Sequence, residues 1–207
     1  MRIIGSFFVI CVLVGVSFVV SLGQQPIDGV DARSNSAEFA KQLGSTDPLL
    51  RQRSAEALAR LAATKHRKLV EGYVLEEKNK EVRLALNWAL YRMGRSEALY
   101  PVVKDLDSSR QEQAIGYLAE LESPDLLYPF LNKEKNQPRV TAGLLKALAR
   151  IGDAHTLEVV KPYRESHEPY VAEAAEIAHD EIEKRLGEPT SPMRVRPRTV
   201  GATGDRP

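Results

Sequence analysis

One arrangement of apolar and polar positions recurs five times along the chain. It is clearest in residues 82–93 and 140–151. There, Val82, Leu86, Ala89, Leu90 and Met93 match Val140, Leu144, Ala147, Leu148 and Ile151. Apolar residues at i, i+4, i+7, i+8 and i+11 form the stripe of an amphipathic helix. Residues 50–61, 110–121 and 171–182 follow the same pattern with more substitutions. The closing apolar residues are Leu61, Met93, Leu121, Ile151 and Ile182, at spacings of 32, 28, 30 and 31. A period near thirty with one stripe per unit predicts units that bury their apolar faces only against neighbours.

A second helix is expected before each of these segments, over residues 37–43, 69–76, 98–106, 126–131 and 157–163. Asp47-Pro48, Ser123-Pro124, Gln137-Pro138 and Glu168-Pro169 place proline at helix starts, with Asp47 and Ser123 as side-chain caps. Gly94, Gly152 and Gly187 fall where helices should end. Pro101, Pro129 and Pro162 lie inside first helices and are expected to kink them. The expected fold is an all-α right-handed solenoid of about five helix pairs over residues 36–186.

The flanks differ in kind. Arg2 precedes a run without charge from residue 3 to residue 22, and Ser21-Leu22-Gly23 offers small residues for cleavage before Gln24. Residues 1–23 therefore read as a signal peptide or, uncleaved, as a membrane anchor through residues 3–22. The positive charge ahead of the segment predicts that the rest leaves the cytoplasm, to be secreted, periplasmic or tethered outside it. Residues 24–35 read as a linker. Residues 187–207, rich in proline and arginine, read as a disordered basic tail.

The chain carries 29 basic and 28 acidic residues, and Arg2 is the one charge in the leader. The remainder is thus neutral overall, and no field of one sign favours nucleic acid. Cys11, the single cysteine, lies in the leader, so disulfides and cysteine-ligated zinc do not hold the rest together.

The repeated segments resemble HEAT repeats of the short kind, about thirty residues long, that also occurs in bilin lyases. Leu50 to Leu61 matches the pattern Val-Arg-x-x-Ala-Ala-x-Ala-Leu-x-x-Leu nearly in full; residues 82–93 and 140–151 match it in part, and the other two loosely. The resemblance implies a curved stack whose second helices line the concave side. It does not imply a function, because such repeats serve many.

Phosphate-binding loops, Ser-His-Asp motifs and HExxH are absent from the sequence. Deoxyhypusine hydroxylase, which has this architecture, holds two irons with several His-Glu pairs. Here His167-Glu168 is the only such pair, and it lies in an expected loop; His66, His155 and His179 lack a following glutamate. Bilin lyases act on a cytoplasmic partner, which does not suit the leader. No catalytic, cofactor or metal residues are assigned. His179 stands where the other repeats have leucine, among Glu176, Asp180 and Glu183. It reads either as a metal or proton site or as part of the solvated face of a capping repeat.

Trp88, the only tryptophan, lies about 140° from the centre of its helix's stripe at 100° per residue. Leu84 and Tyr91 lie near it, with Arg83 and Arg92 beside them. These five residues read as a partner contact, since Trp, Tyr and Arg dominate interface hot spots. Alternatively, Leu84, Trp88 and Tyr91 pack against the neighbouring repeat. The expected function is a non-enzymatic scaffold or adaptor for a protein or peptide. A metal-dependent or lyase-like enzyme using His155, His167 and His179, and a structural envelope component, are the alternatives.

Overall fold

A computed structural model describes residues 30–131 and 137–187 of the chain, with side chains from residue 35. The expected leader, residues 24–29 of the linker and residues 188–207 of the tail lie outside the described residues; residues 30–35 of the expected linker are helical. The described chain is all-α, with ten α-helices and no strand. In order these are α1 (Val30–Gln42), α2 (Pro48–Arg60), α3 (Arg67–Glu76), α4 (Lys80–Arg92) and α5 (Leu99–Lys104). They are followed by α6 (Gln111–Leu118), α7 (Tyr128–Leu131), α8 (Pro138–Ile151), α9 (Ala154–Val160) and α10 (Pro169–Gly187).

The even-numbered helices are the five segments with the repeated stripe, and the odd-numbered ones precede them as expected. Helix α1 starts at Val30, earlier than the expected residue 37. Neither proline nor glycine falls between Val30 and Gln42, so nothing interrupts the helix upstream of its stripe.

Caps fix the helix starts. The Asp47 carboxylate accepts the Leu49 N–H at 2.9 Å, and the Asn79 side-chain oxygen Oδ1 accepts that of Val82 at 3.0 Å. Asp153 and Thr156 form a reciprocal capping box at the start of α9. The prolines act differently from the expected kinks. Pro101 and Pro129 lie in the first turns of α5 and α7, and each of these helices follows a 3-10 turn, Ser96–Ala98 and Pro124–Leu126. Pro162 lies in the 3-10 segment Lys161–Glu165 that continues α9. Each proline lacks the N–H that would bond four residues back, so the first helices of the last three pairs are split into short α and 3-10 pieces.

Helix α2 packs along α4 and also against α1, and α8 packs along α10. Helix α4 also contacts α3 and α5, and α6 contacts α5 and α8. Leu58, Leu86, Ile115, Leu118, Leu144 and Leu145 are among the fully buried side chains of the resulting core. Arg185 joins the last two pairs: its guanidinium donates to the carbonyls of Ala149, Arg150 and Gly152, which the end of α8 leaves without helical partners.

An ion pair ties the first two pairs together. Arg51 on α2 donates through Nε and Nη2 to both oxygens of Glu77, at 2.8 and 2.9 Å. Its Nη1 donates to the carbonyls of Ser45 and Thr46. Glu77 also accepts the Asn79 N–H at 2.8 Å. The hydrogen bonds from Arg51, with help from the Asn79 N–H, hold the Glu77 carboxyl below the usual carboxylate range against the opposing effect of burial. A depressed folded-state pKa contributes stability that is present above the unfolded value, near 4.3, and is lost as pH falls through the lower folded value. Urea titrations from pH 7 down to pH 3 are therefore expected to show a loss of stability in the acid range. In Glu77→Gln that part of the slope disappears, at a cost of about 1.5 kcal/mol at pH 7. An unchanged acid slope in the variant would assign the effect to other carboxylates.

Candidate interaction groove

Counted back from the closing apolar residue of each repeat, one register position on the even-numbered helices holds Glu56, Trp88, Gly116, Lys146 and Ile177. Two grooves open along this row. The first, of about 280 Å³, lies over α2, α4 and α6 and is lined by Glu56, Arg60, Trp88, Gln113, Gly116 and Tyr117, with Glu120 at its edge. The second, of about 430 Å³, lies over α6, α8 and α10.

Tyr117 organises the first groove. Its ring stacks on Trp88 with centroids 5.6 Å apart and planes within 1°. Its hydroxyl reaches past α4 to donate to Glu56 on α2 at 2.6 Å. Gln113 donates to the Tyr117 hydroxyl, and Gln52 donates to Glu56. Burial, together with the bond to Glu56, pushes the Tyr117 phenol far above its usual range, so it stays a neutral donor. Tyr91 also stacks on Trp88 at 5.4 Å, and Arg92 lies over the indole at 5.7 Å. Gly116 needs no special packing, since an added Cβ would meet nothing within 4 Å.

This geometry revises the expected surface. Leu84 and Trp88 are 0% and 1% exposed, so neither presents itself to a partner. Tyr91 and Arg92 are half-buried and Arg83 is exposed. The structure brings Trp88, Tyr91 and Arg92 together, while Leu84 enters the core and Arg83 stays outside it. The cause is the position of α4 in the middle of the row, where α2 packs along it and Tyr117 of α6 stacks on Trp88.

The second groove is the one lined by exposed apolar side chains. Ala142 and Ala174 form its floor, with Arg139 and Lys146 on the α8 side and Glu173 on the α10 side. Tyr170 and Ile177 line it while 71% and 42% exposed. They lie seven residues apart, two turns along the same side of α10. Sequence reasoning missed Tyr170. The available signal was an aromatic residue directly after Pro169, ahead of the stripe and therefore unclaimed by the core.

Among the described residues, one group of three possible metal ligands comes within reach of itself: His179, Asp180 and Glu183. It includes neither His155 nor His167, so the three histidines considered together from sequence do not converge there. His155 instead packs edge-on against Tyr128, with centroids 5.7 Å apart. No described helix is long and apolar enough to cross a membrane.

No family model matches the chain. No curated protein matches it either. Among solved structures, it is similar to an engineered protein from the Northeast Structural Genomics Consortium, at 24% identity and a TM-score of 0.34, over 75% of this chain and 81% of that one.

Proposed function

We propose that the chain is a HEAT-like α-solenoid that works outside the cytoplasm as a non-enzymatic adaptor, holding a protein or peptide along the row of its even-numbered helices. The period near thirty, and first helices that are shorter than their partners in the second to fifth pairs, support the solenoid reading. The apolar leader supports export, with or without a retained tether. The observation that carries the binding function is the second groove. It combines a small-residue floor, two exposed apolar side chains and charges of both signs at its rim. That combination suits a partner segment that inserts an apolar anchor and is oriented by polar contacts.

Tyr170 and Ile177 are exposed, so their replacement is expected to leave stability within about 0.5 kcal/mol. The test is quantitative proximity labelling by the full-length protein in its own envelope, comparing wild type with Tyr170→Ala and Ile177→Asp. Partners held in the groove are expected to drop at least about tenfold in both variants, a loss of about 1.4 kcal/mol or more. A labelling profile identical to wild type in both variants would remove the groove as the binding site.

A further inference from the structure

We propose that His179, Asp180 and Glu183 form a binding site for a first-row divalent transition metal ion. The site is separate from the groove and does not depend on the adaptor reading.

The first observation is the register. Three residues before the closing apolar position, the other repeats carry Leu58, Leu90, Leu118 and Leu148, all buried. The fifth carries His179, which is 18% exposed on its side chain. Where the other repeats bury a leucine, the last described helix places an imidazole beside two carboxylates.

The second observation is the geometry. His179 Nδ1 has no solvent-accessible surface and no hydrogen-bond partner. It faces Asp180 Oδ1 at 3.7 Å and Glu183 Oε2 at 3.6 Å. These separations are too long for charge-assisted hydrogen bonds, which close to about 2.7–2.9 Å. They do fall within the span of two metal–ligand bonds of about 2.0–2.2 Å each. The three ligand atoms lie within 4.8 Å of one another. Asp180 and Glu183 are 71% and 59% exposed on their side chains, so a small rotation of either carboxylate draws the set together. His179 and Glu183, four residues apart on α10, share one face of the helix.

The surrounding charges leave the set available. Glu176, one turn earlier, is held bidentate by Arg164, at 2.5 and 2.9 Å. With the imidazole neutral, Arg164, Glu176, Asp180 and Glu183 leave a net charge of about −2 to receive a dication. One nitrogen and two carboxylate donors favour zinc, nickel or copper over calcium, which takes six to eight oxygens. Three ligands from one helix leave a fourth position open to water or to a group from a partner.

Calorimetric titration of zinc chloride into metal-free, full-length protein in a non-chelating buffer and mild detergent tests the site. One ion per chain is expected, together with a shift of the His179 ring resonances in NMR and no shift for His155. His179→Ala is expected to abolish this uptake, Glu183→Gln and Asp180→Asn to weaken it about tenfold each, and His155→Ala to leave it intact. Circular dichroism checks the fold of His179→Ala, and the exposed Glu183→Gln keeps the test decisive if that variant does not fold. No uptake of zinc by the wild type, or uptake unchanged in Glu183→Gln and His179→Ala, would overturn the proposal.

Discussion

Trp88→Ala is expected to destabilise the protein by about 3–5 kcal/mol, the range for removing a large aromatic side chain from a core. The indole is 1% exposed and stacks with both Tyr91 and Tyr117. Its loss leaves a cavity in the middle of the helix row, and both stacked pairs go with it, each worth about 0.5–1.5 kcal/mol beyond area alone. Tyr117 would also lose the surface that holds its ring flat, and with it the geometry that carries its hydroxyl to Glu56. The helices on either side of α4 are joined there by that contact, so the damage extends beyond one repeat. Urea unfolding followed by circular dichroism measures the change. Trp88→Phe, which keeps an aromatic face, is expected to recover part of it. A cost below about 0.5 kcal/mol would mean that Trp88 behaves as a surface residue. The wild type supplies a second readout, since Trp88 is the only tryptophan. Its fluorescence should resist a soluble quencher until the helices unfold.

The same residue shows where sequence reading reaches its limit. The stripe of Val82, Leu86, Ala89, Leu90 and Met93 correctly predicted a helix and one buried face. A helical wheel assigns one such face, whereas a helix between two neighbours has two. What covers the second face is Tyr117, 29 residues further on, and no local pattern reports it. Helix existence was legible because each stripe is local; all ten helices fall where periodicity, caps and prolines put them, within a few residues at most ends. The first helices were legible as elements, but their internal breaks were not. A proline removes one N–H in every case, and whether the helix bends or splits depends on what packs beneath it. The groove over α8 and α10 was half legible. Lys146 and Ile177 were visible as register equivalents of Trp88, whereas Tyr170 sits outside the repeated pattern.

Gly152→Ala is expected to cost about 2–3 kcal/mol, for a reason that its position after a helix conceals. Gly94, past the end of α4, has φ of +92°, the left-handed conformation that favours glycine. Gly152, past the end of α8, has φ of −61° and ψ of 152°, which any residue adopts. Its requirement is space. A Cβ there would meet Ile182 Cδ1 at 2.6 Å, the Leu148 carbonyl oxygen at 2.7 Å and Thr156 Cγ2 at 2.9 Å. The carbonyl is fixed by the bond it accepts from the Gly152 N–H. Thr156 is held by its hydroxyl, which is bonded within the Asp153 capping box and to Tyr128. Only Ile182 has a flexible end, and it is fully buried. Moving Gly152 instead would strain the bond from Arg185 that closes α8 against α10. Gly143 provides the contrast, because the three atoms nearest an added Cβ there all belong to the side chain of Leu106. Gly143→Ala is therefore expected to cost less. Shortening Ile182 to valine removes the closest clashing atom, so Gly152→Ala with Ile182→Val should be less destabilised than the sum of the single changes, a coupling that a double-mutant cycle reads directly. Strict additivity would mean that the α8–α10 approach at this point is looser than 2.6 Å implies.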